Sequence, residues 1–251
     1  MSIAYGGQKV TFADGSSISS GYTGFKNRII NGAMVIDQRN AGASVTPTGS
    51  VYTIDRWEFA TGTSSKFSVQ QNAGSVTPPP GFTNYLGCTS LSSYSIGAGE
   101  FFTLYQPIEG YNVADLAWGT ANAKTVNLSF WVYSSLTGTF GGSIVNNAFN
   151  RSYPFTYTIS SANTWTQASV TITGDTTGTW VGATNGRSVL VFFSLGAGSS
   201  MSASAGSWAA GNYQSATGAT SVVGTNGATF YITGVQLEVG SSATSFDYRP
   251  Y

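Results

Sequence analysis

The stretch Val126-Asn127-Leu128-Ser129-Phe130-Trp131-Val132-Tyr133-Ser134 decides the fold class. Val126, Leu128, Phe130 and Val132 occupy every second position, with Asn127, Ser129, Trp131 and Tyr133 between them. A period of two puts the two sets on opposite faces of an extended strand, and one wholly apolar face marks a strand lying on a core. Residues 167–173 repeat the pattern: Ala168, Val170 and Ile172 on one side, Gln167, Ser169, Thr171 and Thr173 on the other. Residues 189–195 are apolar on both faces and read as a strand in mid-sheet. Residues 229–239 open with Phe230 and Ile232 on one face and switch to Val235, Leu237 and Val239 on the other. Gly234 stands at the switch, which signals a β-bulge. Residues 51–59, 66–71, 101–107 and 155–160 read as weaker strands.

Working outward, the rest of the chain supports the same class. Good helix formers are scarce, and turn clusters of Gly, Ser, Thr and Asn, such as 174–178 and 183–186, separate the strands. Many short strands with turns between them indicate an all-β protein, an antiparallel sandwich or barrel. Two segments differ. Residues 1–24 are Gly/Ser-rich with isolated apolar side chains, Ile3, Tyr5, Val10, Phe12, Ile18 and Tyr22, and must pack against something else to bury them. Residues 196–228 are mostly Gly, Ala, Ser and Thr around Trp208 and Tyr213, which reads as a long functional or disordered loop.

Composition removes several classes of function. The chain has 251 residues, 41% of them hydrophobic and only 8% charged, with zero formal net charge and no histidine. A nucleic-acid partner is not expected, because ten cations balanced by ten anions make no basic face. Membrane insertion is not expected either, since a spanning helix needs about 20 apolar residues in a row. Met1 to Val10 lacks the apolar core of a signal peptide, so ordinary secretion is not expected. Histidine-based catalysis and histidine-bound metal are excluded. The single cysteine, Cys88, has no internal disulfide partner and reads as a small buried hydrophobe.

The remaining chemistry lies in neutral polar groups and rings. No local motif brings two carboxylates together for glycoside hydrolysis. Asp55 beside Arg56 and Asp247 near Arg249 read as ion pairs, and residues 175–179 read as a tight turn capped by Asp175. Six tryptophans and 14 tyrosines remain. Flat rings flanked by Ser, Thr and Asn suit stacking against the C–H faces of sugars. Trp131 and Tyr133 share the face opposite the core residues, so that face is either a second buried layer or an exposed platform. Nothing near them in sequence buries Trp208 and Tyr213. These four are the candidate carbohydrate-binding residues; subunit contact explains them equally well. Trp165, just before a strand, reads as a plug for the sandwich end.

Several segments together resemble a family of bacteriophage tail-fibre and other virion fibre proteins with a jelly-roll domain like a carbohydrate-binding module. They are Phe25-Lys26-Asn27-Arg28-Ile29-Ile30-Asn31-Gly32-Ala33-Met34 with Asp37-Gln38-Arg39, Tyr52 to Trp57, and Gln106-Pro107-Ile108-Glu109-Gly110. Val126 to Ser134, Ile172 to Trp180, Phe230 to Gly240 and Phe246 to Tyr251 complete the set. The resemblance covers about residues 25–251, and Val10 to Ser17 resembles the short β-segment near the start of many phage fibres. It implies an antiparallel jelly-roll β-sandwich head over 25–251, and a short extended segment over 1–24 for virion attachment and trimerisation. In such modules an Asn-Gly pair and an Asp in the final strand often hold a structural calcium. Asn31-Gly32 matches the first, but Thr233-Gly234 stands where the Asp belongs, so no cofactor is expected.

The expected function is therefore that of a non-enzymatic virion fibre or spike protein, assembled in the host cytoplasm and carried on the phage surface. It would be a homotrimer, joined to other virion proteins by residues 1–24 and binding a host surface polysaccharide through its head. The alternatives are a structural decoration, adaptor or capsid-fibre protein without glycan binding and, less favoured, a polysaccharide depolymerase.

Overall fold

The computed structural model describes residues 9–11, 17–19 and 25–248. Of the expected attachment residues, Ile3, Tyr5, Phe12 and Tyr22 lie outside the described residues, as do the side chains of Val10 and Ile18. Strands β1 (Lys9–Thr11) and β2 (Ser17–Ser19) pair antiparallel with Val10 opposite Ile18. The body begins with β3 (Val51–Ile54), β4 (Trp57–Thr61), β5 (Phe67–Gln71), β6 (Leu86–Ser90) and β7 (Phe101–Glu109). It continues with β8 (Val126–Ser134), β9 (Gly138–Asn146), β10 (Arg151–Ile159), β11 (Thr166–Ile172) and β12 (Arg187–Ala197). Three two-residue strands, β13 (Ser202–Ala203), β14 (Ala209–Ala210) and β15 (Ser215–Ala216), precede β16 (Thr229–Val239).

The strands form an all-β, antiparallel jelly-roll sandwich. One sheet has the order β14-β10-β9-β12-β7-β4-β3 and the other β11-β8-β16-β6-β5. The chain passes repeatedly from sheet to sheet, as between β4 and β5, β6 and β7, and β8 and β9, so strands distant in sequence become neighbours. The core lies between the sheets. Val126, Leu128, Phe130 and Val132 of β8 are at most 1% exposed, as the alternation in that strand requires. Phe193 of β12 meets Phe130 edge-on at 4.9 Å and Trp57 at 6.2 Å. Each such side chain contributes about 1.5–3 kcal/mol on burial. Cys88 packs among them, and burial pushes its thiol far above the usual range.

Four expectations need correction. Residues 51–59 are not one strand. They form the hairpin β3–β4, turned at Asp55-Arg56, where Arg56 takes a left-handed φ of 72°. Arg56 does not pair with its neighbour: its guanidinium lies 2.7 Å from Glu109, while Asp55 accepts the Gln38 N–H. Arg249 lies outside the described residues.

The bulge in β16 is present, but it does not send the second half of the strand to the other face. Thr233 pairs with Trp131 and Gln236 with Ser129, so Gly234 and Val235 together stand opposite Phe130. The extra residue cancels the change of parity, and Phe230, Ile232, Val235 and Leu237 all enter one core. It also releases Val235 from the ladder. The Val235 N–H donates to Gly32 O at 3.0 Å, and Val235 O accepts from Asn27 Nδ2 at 3.2 Å. Arg28 N–H donates to Leu237 O at 2.8 Å, so residues 27–32 run beside β16 where β6 has ended. A methyl at Gly32 would lie 2.2 Å from Val235 O, which explains the glycine.

Residues 196–228 are built into the fold rather than forming a free loop. Val222 and Val223 are fully buried, and β14 extends the seven-stranded sheet. Small side chains let the backbone lie flat on the outer face of β9, where a methyl at Gly141 would meet Ser215 Oγ at 2.6 Å. Backbone bonds such as Gln214 N–Met201 O and Thr220 N–Thr139 O hold the segment in place.

Candidate functional site

The outer face of the five-stranded sheet carries the expected pair Trp131 and Tyr133. Register places Gln167 of β11 beside Trp131 on one side and Thr233 of β16 on the other. Next along β8 toward its start comes Ser129, opposite Gln236. The alternation of β8 already places Ser129, Trp131 and Tyr133 on this face; their neighbours follow from the strand pairing.

Two irregular segments then fold over the sheet and add rings that the sequence pattern does not reveal. Residues 79–84 bring Phe82, and residues 244–248 bring Phe246 and Tyr248. Phe82 meets Phe246 edge-on at 5.0 Å and Tyr248 at 5.8 Å, and Phe246 meets Tyr248 edge-on at 4.7 Å. The bulge seats them: an ideal Cβ at Gly234, whose φ is +61°, would lie 2.6 Å from Phe82 and 3.1 Å from Trp131. Only glycine allows both the backbone turn and the approach of the two rings.

The tail is held by buried polar groups. Glu238, 3% exposed, accepts the Thr244 N–H at 2.8 Å and the Thr244 hydroxyl at 2.7 Å. Gln236 Oε1 accepts the Asp247 N–H at 2.7 Å, and Asp247 Oδ2 accepts the Lys26 N–H at 2.9 Å. Tyr248 donates its hydroxyl to Gly81 O. Together the segments enclose an open cavity of about 270 Å³ whose lining includes Trp131, Phe82, Phe246, Tyr248, Gln167 and Ser129. Among the described residues no charged side chain lines it. It offers flat apolar walls with neutral donors and acceptors between them.

Tyr133 belongs to a neighbouring panel instead. It stacks on Tyr231 at 5.3 Å with planes 8° apart, and Tyr231 stacks on Tyr85 at 5.1 Å. Trp165 closes the panel against Tyr85 and Tyr133, both at 5.5 Å, and donates its indole N–H to Thr77 O. Trp165 therefore lies on the outer face and does not plug the sandwich end. Burial raises the hydroxyls of Tyr85 and Tyr231. The two alternatives for this face are thus both realised: a covered panel at Tyr133 and an open cavity at Trp131.

Trp208 is elsewhere and is not isolated. It packs against Trp118 at 5.4 Å, Trp180 at 5.5 Å and Tyr153 at 5.3 Å, and its indole N–H donates to Thr173 O. Arg151 lies over its ring at 5.8 Å. Tyr213 is half-buried against Gly211 and takes no part in the Trp131 cavity. Beside the tryptophans, Asp175 accepts from Arg151 Nε at 2.9 Å and Nη2 at 2.5 Å, from the Thr177 N–H and hydroxyl, and from the Trp180 indole N–H. Burial alone would raise its carboxyl, but these donors outweigh burial and hold it below the usual range. The tight turn at 175–179 is as expected.

The residues that would answer to a structural calcium do not fit one. Asn31 Oδ1 accepts the Ile36 N–H, and its Nδ2 donates to Ile36 O and Asp55 O. Thr233 donates its hydroxyl to Asn84 O. Among the described residues no three Asp, Glu, Cys or His side chains cluster.

No family model and no curated protein matches the chain. Solved structures do. The enzymatically active domain of tailspike protein 4 of bacteriophage CBA120 is 13% identical over 85% of this chain, with a TM-score of 0.46; this chain spans 21% of its length. The module CBM4 is 16% identical, covers 84% of this chain and 99% of its own, and has a TM-score of 0.39. TmCBM61, solved with β-1,4-galactotriose, is 9% identical, covers 85% and 99%, and has a TM-score of 0.42.

Proposed function

We propose that the chain is a non-enzymatic glycan-binding head of a phage fibre or spike, carried on the virion surface as a trimer and attached through residues 1–24. The single observation that carries the binding part is the cavity walled by Trp131, Phe82, Phe246 and Tyr248, which no charged side chain among the described residues lines. Sugar C–H faces stack on such rings, while Gln167 and Ser129 supply neutral hydrogen bonds to hydroxyls. The buried carboxylates support a binding role over catalysis, because Asp175 and Glu238 are both engaged in scaffold hydrogen bonds. Affinity per site is modest in this reading, and several copies acting together make adhesion firm.

The test is binding of labelled protein to host cells before and after the surface polysaccharide is stripped, alongside an array of neutral oligosaccharides. Stripping should abolish binding, and Trp131→Ala should weaken array binding about tenfold or more. Adsorption that survives stripping and Trp131→Ala would favour a structural decoration protein. Release of reducing ends from the polysaccharide would favour a depolymerase.

A further inference from the structure

The opposite, outer face of the seven-stranded sheet carries a second recess of different chemistry. Register aligns Tyr52, Glu58, Tyr105 and Phe192 in one row across β3, β4, β7 and β12. Beside this row lies an open cavity of about 230 Å³ whose lining includes Tyr52, Pro107, Glu109, Arg39, Arg56 and Arg187. Three arginines thus meet in one recess of a chain that holds ten Lys and Arg in all.

The carboxylates nearby are already committed. Glu109 takes Arg56 at 2.7 Å and the Asn112 amide at 3.2 Å. Asp55, which also lines the recess, accepts the Gln38 N–H at 2.7 Å. Glu58 is 8% exposed and stands opposite Tyr105 in the ladder between β4 and β7. Arg39 and Arg187 are left without an ion pair among the described residues. Arg39 lies over the Tyr52 ring at 4.9 Å, and Arg187 spends only its Nε, on Asn147 Oδ1 at 3.3 Å.

We propose that this recess binds the carboxylate of an acidic saccharide, a uronate or sialate residue of a surface polymer. The proposal rests on the glycan-binding reading above and adds a charge requirement at a separate site. A guanidinium presents a planar fork of donors that matches both oxygens of a carboxylate. The Arg187 fork is unspent toward the recess. Arg39 supplies the second positive charge and holds Tyr52 in place as a flat wall for the ring that bears the acid. Glu109 and Asp55 balance two of the three guanidinium charges that line the recess, which leaves one positive charge for the ligand's carboxylate.

The test is calorimetric titration of the full chain, at low ionic strength, with oligogalacturonate, oligoguluronate, hyaluronan fragments and oligosialate. Each is paired with its carboxyl-reduced form, and neutral oligosaccharides are run in parallel. At least one acidic oligosaccharide should bind, carboxyl reduction should weaken it about tenfold or more, and Arg187→Gln should do the same without changing the melting temperature. Arg187→Lys, which keeps the charge and loses the fork, should recover little of the affinity. The proposal is overturned if no acidic member binds, if reduced and acidic forms bind alike, if Arg187→Gln binds as wild type, or if inorganic phosphate competes as well as the saccharide. Neutral binding with no acidic binding defeats this site and leaves the Trp131 cavity standing. Acidic binding lost in Arg187→Gln, with no neutral binding, does the reverse.

Discussion

Replacing Asp175 by Asn tests whether the corner where Arg151, Trp180 and Trp208 meet is held by charge or only by packing. Five donors converge on two oxygens that are almost wholly buried. An asparagine keeps one oxygen and turns a donor toward the rest. With the amide nitrogen in the Oδ2 position, Arg151 Nε and the Trp180 indole lose their acceptor. With it in the Oδ1 position, Arg151 Nη2 and both Thr177 donors lose theirs. Either way a mostly buried guanidinium is left without its counter-charge. Removing one partner of such a pair costs about 3–5 kcal/mol. At roughly 2–4 °C per kcal/mol for a chain of this size, the melting temperature should fall by about 6–20 °C at pH 7.

The same change carries a pH signature. The Asp175 carboxyl is held below its ordinary value in the folded state, so in acid the unfolded chain binds the proton first. Its contribution to stability is therefore complete above the unfolded value of about 3.9 and is lost as pH falls through the folded one. Urea unfolding of wild type and Asp175→Asn at pH 7, 5, 3 and 2 should show a gap that is constant at the first two and shrinks at the last two. A gap under about 1 kcal/mol at pH 7, or one that stays open at pH 2, would refute the reasoning.

Two further predictions concern packing. Gly32→Ala drives a methyl to within 2.2 Å of a backbone oxygen and should cost about 2–3 kcal/mol in urea unfolding, with faster exchange of the Val235 amide proton; a neutral result would mean that residues 27–32 are not clamped to β16. Tyr157→Phe removes a buried hydroxyl that has no partner among the described residues, and should raise stability by about 1 kcal/mol. A loss of stability there would reveal a partner for that hydroxyl.

The strands that carry the sandwich were legible because alternation is a local property. β8, β11 and the centre of β12 follow from residue type alone, and so does the bulge, since glycine at a change of parity has few other uses in a strand. The sense of the bulge was not legible, because register depends on how many residues the partner strand spends over the same length. Residues 51–59 hid their hairpin because the turn position with positive φ is an arginine, which gives no turn signal. Residues 196–228 read as loose because Gly, Ala and Ser carry little burial signal, although they fit closely against a flat sheet. Trp208 followed from the same misreading: its partners Trp118, Trp180 and Tyr153 come from distant segments. The cavity was half legible. Trp131 was given by the alternation of β8, whereas Phe82, Phe246 and Tyr248 sit in segments without periodicity and reach the sheet only through the fold.

The one-residue surplus in β16 also has a mechanical consequence. Any pull on the chain ahead of Phe25 loads first the bond from Lys26 to Asp247, and then those between Arg28 and Leu237 and between Val235 and Gly32. β16 is an interior strand, flanked by β8 and β6, and not a free edge. Tension arriving there reaches the middle of the five-stranded sheet, so several hydrogen bonds share the load before any strand can peel. Phe82 and Trp131, two rings of the cavity, close on the same strand at Gly234, so the cavity and the entry of the chain share one structural member.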